Sequence, residues 1–102
     1  MLFKISFMRF QNTCSINGIT VKVNATVKGG RIAKIEIDGD LGANPSDFIT
    51  LLDKHLVGVG FRRESITNAV NTFYLLGAKT EKITKEQLIE AIIGLHSNRN
   101  PG

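Results

Sequence analysis

Two stretches of alternating apolar and polar residues, joined by a glycine pair, restrict the fold of this chain more than any other feature. The apolar positions of the first stretch are Ile19, Val21, Val23, Ala25 and Val27, and every position between them is polar. Strict alternation is typical of a strand with one buried face and one solvated face. Because Gly29 and Gly30 can supply the positive φ angles of a two-residue turn, the sequence predicts an antiparallel hairpin.

The returning strand of this hairpin covers residues 31–38. Its alternation places Ala33, Ile35 and Ile37 on one face and Ile32 on the other. A hairpin alone is only marginally stable in water, so its apolar face must be covered by other elements. The sequence after residue 40 has the pattern of that cover.

Residues 2–10 alternate in the same way, with Phe3, Ile5 and Phe7 on one side, and predict a first strand at the edge of the sheet. The polar residues 11–17 predict a loop, which contains the single cysteine, Cys14.

Three apolar stripes at helical spacing follow the strands. The first begins after Ser46, an expected N-cap, and contains Phe48, Leu51, Leu52, His55 and Leu56. The second lies between residues 63 and 76 and contains Ile66, Ala69, Val70, Phe73 and Tyr74. The third follows a capping box of Thr84 and Gln87 and contains Leu88, Ala91, Ile92 and Leu95. This order predicts an α+β fold, in which a three-stranded antiparallel sheet (β-β-β) is followed by three helices packed on one face.

Length and composition indicate one globular domain over residues 1–102, with residues 97–102 as a frayed tail. No apolar run approaches the roughly 18 residues of a transmembrane helix, and we expect a cytoplasmic protein that does not bind membranes. One cysteine excludes an internal disulfide and a cysteine-cluster metal site. The net charge of +4 favours an anionic partner.

Catalytic patterns are weak in this sequence. His55 and His96 each lie at the edge of a helical apolar stripe, so we interpret them as partly buried structural residues. Arg62 and Arg63 stand at the start of the second helix, where positive charge opposes the helix dipole. A local violation of this kind can mark contact with an anionic ligand or partner. A solvated charge pair is the alternative.

The segment VKVNATVKGGRIAKIEIDGD, which ends in Gly39-Asp40, resembles the opening of the accessory C-terminal domain of lipoate–protein ligases. The sequence Leu-Val-Gly-Val at residues 56–59, after a proline-led helix, matches the same family, and the resemblance covers about residues 18–95. Leu41-Gly42 stands where the family usually has an aromatic pair.

The resemblance implies a non-catalytic accessory subunit of a two-chain, archaeal-type lipoate–protein ligase. Such a subunit forms a heterodimer with the catalytic subunit and is required with it for the ATP-dependent activation of lipoate to lipoyl-adenylate. It implies ATP, lipoate and Mg²⁺ in the complex, no cofactor bound by this chain alone, and lipoyl carrier domains as indirect partners. The family's catalytic lysine motif is absent, and Arg62-Arg63 lacks the glycines and the His-Asp pair of its lipoate-binding loop.

Six residues are therefore expected near the partner or the adenylate: Lys28, Gly29, Gly30, Asp40, Arg62 and Arg63. Lys28 offers a cation, the glycine turn allows close approach, and Asp40 occupies the family's Gly-Asp position. We assign no catalytic and no metal-binding residue to this chain.

Two other classes of function stay open at this point. A single-cysteine sulfur acceptor of the iron–sulfur assembly type would use Cys14 as its exposed thiol. A small basic nucleic-acid-binding module is supported only by the net charge, since the chain has no basic run and few aromatic residues on its strands.

Overall fold

The computed structural model describes residues 7–97 and 99–100. Its elements in chain order are β1 (Phe7–Ile16), β2 (Ile19–Lys28), β3 (Arg31–Asp38), β4 (Ala43–Asn44), α1 (Phe48–Leu56), α2 (Arg63–Leu75), β5 (Lys79–Thr80), α3 (Lys85–Ile93), a 3-10 helix (Gly94–Ser97) and β6 (Arg99–Asn100). The main sheet has the antiparallel order β3-β2-β1-β6, and β4 pairs with β5. The predicted α+β fold is confirmed.

The hairpin between β2 and β3 has the predicted turn. Lys28 lies opposite Arg31, and Val27 opposite Ile32. Gly29 and Gly30 have φ angles of 59° and 75°. These angles strain a residue with a Cβ, so a glycine pair suits this turn.

A β-bulge in β3 changes which of its side chains are buried. Thr26 pairs with Lys34 and Val27 with Ile32, so Ala33 is an extra residue without a partner in the register. The extra residue shifts the alternation of β3 by one position. Side chains before and after the bulge therefore follow opposite alternation patterns. Ile32 is therefore buried and Ala33 exposed, and their predicted faces were wrong.

The predicted loop over residues 11–17 is also wrong, because β1 continues as a strand to Ile16. It pairs with β2 from Phe7, opposite Lys28, to Ile16, opposite Ile19. The strand tolerates polar residues here because Thr13 and Ser15 are exposed. Residues 2–6 of the predicted first strand lie outside the described part of the chain.

The helices cover one face of the sheet, as predicted. The buried residues of the sheet are Phe10, Val21, Val23, Ala25, Val27, Ile32, Ile35 and Ile37, and those of α1, α2 and α3 are Phe48, Leu52, Leu56, Ile66, Ala69, Val70, Leu88, Ile89, Ala91 and Ile92. The stripe of α1 is narrower than expected, because Leu51 and His55 are exposed. The N-cap of α1 is Asp47 rather than Ser46, whereas the capping box of α3 is confirmed.

The C-terminal residues 97–102 were expected to form a frayed tail. Within that range the structure instead places Arg99 and Asn100 in β6, opposite Phe10 and Arg9. The outer edge of β1 is therefore paired at these two positions. No helix in the described ranges has the length and apolar character needed to cross a bilayer.

Candidate functional site at the hairpin end

The turn of the β2–β3 hairpin packs against the loop that joins α1 to α2. The Phe61 N–H donates to the carbonyl oxygen of Gly30 at 2.8 Å, and the Gly58 N–H donates to that of Ile32 at 2.7 Å. The Ile32 N–H in turn donates to the carbonyl oxygen of Val59 at 2.9 Å. These bonds bring Arg62, which follows the loop, to the same end of the molecule as the turn.

This end carries a surface made of Phe7, Lys28, Gly29, Gly30, Arg31 and Arg62, which we name the hairpin-end surface. Its polar cleft of about 490 Å³ is lined by Gly29, Gly30, Arg31, Gly60, Phe61, Arg62 and Ser65. The Arg31 Nη1 donates to the carbonyl oxygen of Gly58 at 3.0 Å. The Lys28 Nζ lies 5.6 Å from the centroid of the Phe7 ring, within the range of a cation–π contact.

The cations of this surface are not neutralised by the protein itself. Within the described ranges, Lys28, Arg31 and Arg62 form no salt bridge, and the same holds for Arg9, Lys22, Lys54 and Lys79. The paired cations are Lys34 with Glu36, Arg63 with Glu90, Lys82 with Asp40 and Lys85 with Glu86. Helix α2 also begins here without a side-chain cap, and the positive end of its dipole adds to the field, which Glu64 in its first turn offsets in part. The hairpin end is therefore electropositive.

Arg63 does not belong to this surface, although it follows Arg62. Its guanidinium donates to both carboxylate oxygens of Glu90 on α3, at 2.7 and 3.3 Å. This contact lowers the pKa of the Glu90 carboxyl and raises the pKa of Arg63. Arg63 therefore fastens α2 to α3.

Asp40 lies at the opposite end of the sheet. It follows the eight residues of β3, which span roughly 25 Å from the hairpin turn at the usual rise of a strand. The Lys82 Nζ is 2.5 Å from its Oδ2, and this hydrogen bond and charge lower the pKa of the Asp40 carboxyl. Of the six predicted residues, the structure thus brings together Lys28, Gly29, Gly30 and Arg62.

Cys14 occupies a different place from the exposed loop that the sequence predicted. It is half-buried in β1 and packs against the core. Its neighbours line a cleft of about 500 Å³ between β1 and α3, which includes Gln87 and Glu90. In the part of the chain that the structure describes, no group of three or more His, Cys, Asp or Glu side chains is placed to hold a metal ion.

Both histidines are exposed rather than partly buried, and each packs against an aromatic ring. The His55 ring lies 4.8 Å from that of Phe73, and His96 stacks on Phe61 at 4.0 Å. The Nε2 and Nδ1 atoms of His96 approach the carbonyl oxygens of Phe61 and Ile93 at 2.9 and 3.0 Å. His96 thus connects the C-terminal segment to the α1–α2 loop.

Sequence reasoning missed Asp53, which alternation and charge do not distinguish from a solvated helix residue. The pKa of its carboxyl is raised to about 6, mainly by burial against β3. A hydrogen bond from the backbone of Ile37 lowers this pKa by a smaller amount, and the charge of Glu36 raises it further. Its Oδ1 is buried without a hydrogen-bond partner.

We expect Asp53→Asn to stabilise the protein at neutral and alkaline pH. The folded-state pKa lies above the unfolded value, so the folded state binds more protons between pH 4 and 6 and wild-type stability falls as pH rises through this window. After a discount for partial solvation, the gain above pH 7 should be about 1–2 kcal/mol, and it should vanish below pH 4. Urea unfolding across this pH range measures it, with the exposed Asp38→Asn at the end of β3 as control. Equal stability of Asp53→Asn and wild type at pH 8 would contradict the assignment.

Comparison with known proteins relates this fold to one family. A family model described as the C-terminus of bacterial lipoate protein ligase matches residues 8–92. A solved chain from the structural analysis of an archaeal lipoylation system, a bipartite lipoate protein ligase and its E2 lipoyl domain from Thermoplasma acidophilum, aligns with a TM-score of 0.77. It is 28% identical, and the alignment covers 85% of this chain and 97% of that chain. Curated protein sequences give no match. Since the family match spans most of its length, the chain belongs to the family of bacterial lipoate protein ligase C-terminal domains.

Proposed function

We propose that this chain is the non-catalytic accessory subunit of a two-chain lipoate–protein ligase in the cytoplasm. It binds the catalytic subunit as a heterodimer and is required with it for the ATP-dependent activation of lipoate. One observation carries the proposal: the fold aligns with 97% of a chain from a system described as a bipartite lipoate protein ligase. The family match to the C-terminal part of such ligases supports the same role.

The activation step explains why an accessory domain that closes over the site is useful. A carboxylate oxygen of lipoate attacks the α-phosphorus of ATP, and a new P–O bond forms. The bond from the α-phosphorus to the bridging oxygen breaks, and pyrophosphate leaves with that electron pair. Negative charge is concentrated around the α-phosphate in the transition state, so positive groups and the exclusion of water stabilise it.

Within the complex we assign ATP, lipoate and Mg²⁺ to the catalytic subunit. This chain closes over them and excludes water from the α-phosphate. Lys28, Gly29, Gly30 and Arg62 are the residues proposed to lie closest to the partner or the adenylate, since they share one end of the fold. Arg63 and Asp40 act indirectly, because they hold α3 and the segment around Lys82 in place.

The second half-reaction depends less on this chain. In it the ε-amine of a carrier-domain lysine attacks the carbonyl carbon of lipoyl-adenylate, the amine loses a proton, and AMP leaves. Negative charge then develops on the carbonyl oxygen under attack and passes to the phosphate of the departing AMP, so an aid specific to attack at the α-phosphorus has less to contribute.

A bypass experiment separates the two half-reactions. We expect the catalytic subunit alone to transfer lipoate from preformed lipoyl-adenylate to its carrier domain at nearly the rate of the complex. From lipoate and ATP, the same subunit should lipoylate the carrier domain only when this chain is added. Mass spectrometry of the carrier domain measures both rates. An equal dependence of both routes on this chain would contradict a role in activation.

A further inference from the structure

We infer that the hairpin-end surface is the face that docks on the catalytic subunit, and that the catalytic subunit presents acidic side chains there. The inference rests on the proposed function and deepens it by naming the docking face and the chemistry of the partner.

The position at which the family match begins indicates this end of the fold. The match starts at residue 8, and the family is the C-terminal part of larger bacterial ligases. In those ligases the preceding polypeptide therefore enters this domain at the start of β1. Phe7 at the start of β1 lies opposite Lys28, so that entry point is next to the hairpin turn. A covalent connection at this point gives the surface around it a high effective concentration against the preceding domain.

The charge distribution indicates the same end. Lys28, Arg31 and Arg62 form no salt bridge among the described residues, and these three unpaired cations share one end of the fold. Uncompensated charges of one sign repel each other, and this repulsion is relieved when a surface of opposite charge covers them. An acidic protein surface is the partner that this arrangement fits.

The composition of the hairpin-end surface is typical of an interface centre. Phe7 is 57% exposed, and arginine is represented by Arg31 and Arg62. Aromatic and arginine side chains carry much of the binding energy in protein interfaces. A Cβ added at Gly29 or Gly30 would meet no atom within 4 Å, so the turn is open to close approach.

The hairpin-end surface is also ordered before any partner binds. Backbone hydrogen bonds join the turn to the α1–α2 loop, and the loop is stacked through Phe61 on His96. A preorganised surface loses less conformational entropy on association than a flexible one.

The exposed leucines at the end of α2, Leu75 and Leu76, lie at the far end of that helix from Arg62, and nothing in the structure shows what covers them.

A paired set of charge reversals tests the docking face. The double variant Lys28→Glu/Arg62→Glu reverses two cations of the hairpin-end surface. The control, Lys79→Glu/Lys85→Glu, makes the same change in net charge away from it. Binding to the purified catalytic subunit from the same organism is measured by calorimetry, after thermal unfolding has shown that each variant is folded.

We expect the first double variant to weaken binding by about a hundredfold and the control by less than about threefold. For the aromatic residue, Phe7→Ala should weaken binding about tenfold, while the matched exposed residue Leu75→Ala should leave it unchanged. Raising the salt concentration should slow association of the wild type and have little effect on the first double variant.

Carbodiimide cross-linking gives an independent readout, because it joins a lysine amine directly to a carboxylate. We expect Lys28 to be joined to an Asp or Glu of the catalytic subunit. Wild-type affinity of Lys28→Glu/Arg62→Glu, together with weakened binding of Lys79→Glu/Lys85→Glu, would overturn the inference and leave the proposed function standing. If the wild-type chain forms no complex with the catalytic subunit, the proposed function fails and this inference fails with it.

Discussion

Val23→Asp is expected to unfold the domain. Val23 has no exposed surface and lies at the centre of β2, between Asn12 of β1 and Ile37 of β3. An unpaired carboxylate at this position costs several kcal/mol. A domain of this size has a total stability of about 5–15 kcal/mol, and its small core places it toward the lower end of that range. The substitution therefore removes most or all of the stability.

Circular dichroism and thermal unfolding measure this effect. The control is Thr13→Asp, which places the same carboxylate on the exposed face of the sheet opposite Lys22, and it should leave the melting temperature nearly unchanged. A cooperative transition of Val23→Asp at the wild-type temperature would show that the inner face of β2 is not the core.

The parts of the fold that sequence analysis predicted are those determined by local pattern. The alternation from Ile19 to Val27 and the Gly29-Gly30 turn specify a hairpin whatever else the chain does, and the structure contains it. The capping box at Thr84 likewise needs only four consecutive residues.

The parts that failed depend on pairing between distant segments. The bulge at Ala33 arises from the register of β3 against β2, and the sequence of β3 contains no residue that predicts a bulge. Residues 11–16 read as polar loop, yet they pair with β2 over their whole length because the strand order places them beside it. The pairing of Arg99 and Asn100 with β1 also depends on contact between segments that are distant in the sequence.

The candidate site shows the same division. Lys28, Gly29 and Gly30 are adjacent in sequence, but their closeness to Arg62 follows from hydrogen bonds between the turn and the α1–α2 loop. Sequence analysis grouped Asp40 and Arg63 with them. In the structure, Asp40 pairs with Lys82 and Arg63 pairs with Glu90, and both pairs lie away from the hairpin end. Sequence analysis missed Arg31, because its place in the surface depends on the tertiary hydrogen bond from its Nη1 to the carbonyl oxygen of Gly58.

The second large effect concerns catalysis. We expect the formation of lipoyl-adenylate by the catalytic subunit to rise at least about 100-fold when this chain is present. Removal of a single preorganised donor to a developing charge commonly costs a factor of about 10²–10³ in rate, and a domain that closes over the site also excludes water from it. The chain alone should show no turnover, because its sequence contains no phosphate-binding motif.

The most direct test is the rate of pyrophosphate release from ATP and lipoate as this chain is titrated into a fixed amount of the catalytic subunit. We expect the rate to rise with each addition, to saturate at one chain per catalytic subunit, and to be at background for either protein alone. A catalytic subunit that reaches its full rate without this chain, or turnover by the purified chain alone, would contradict the assignment of an accessory subunit.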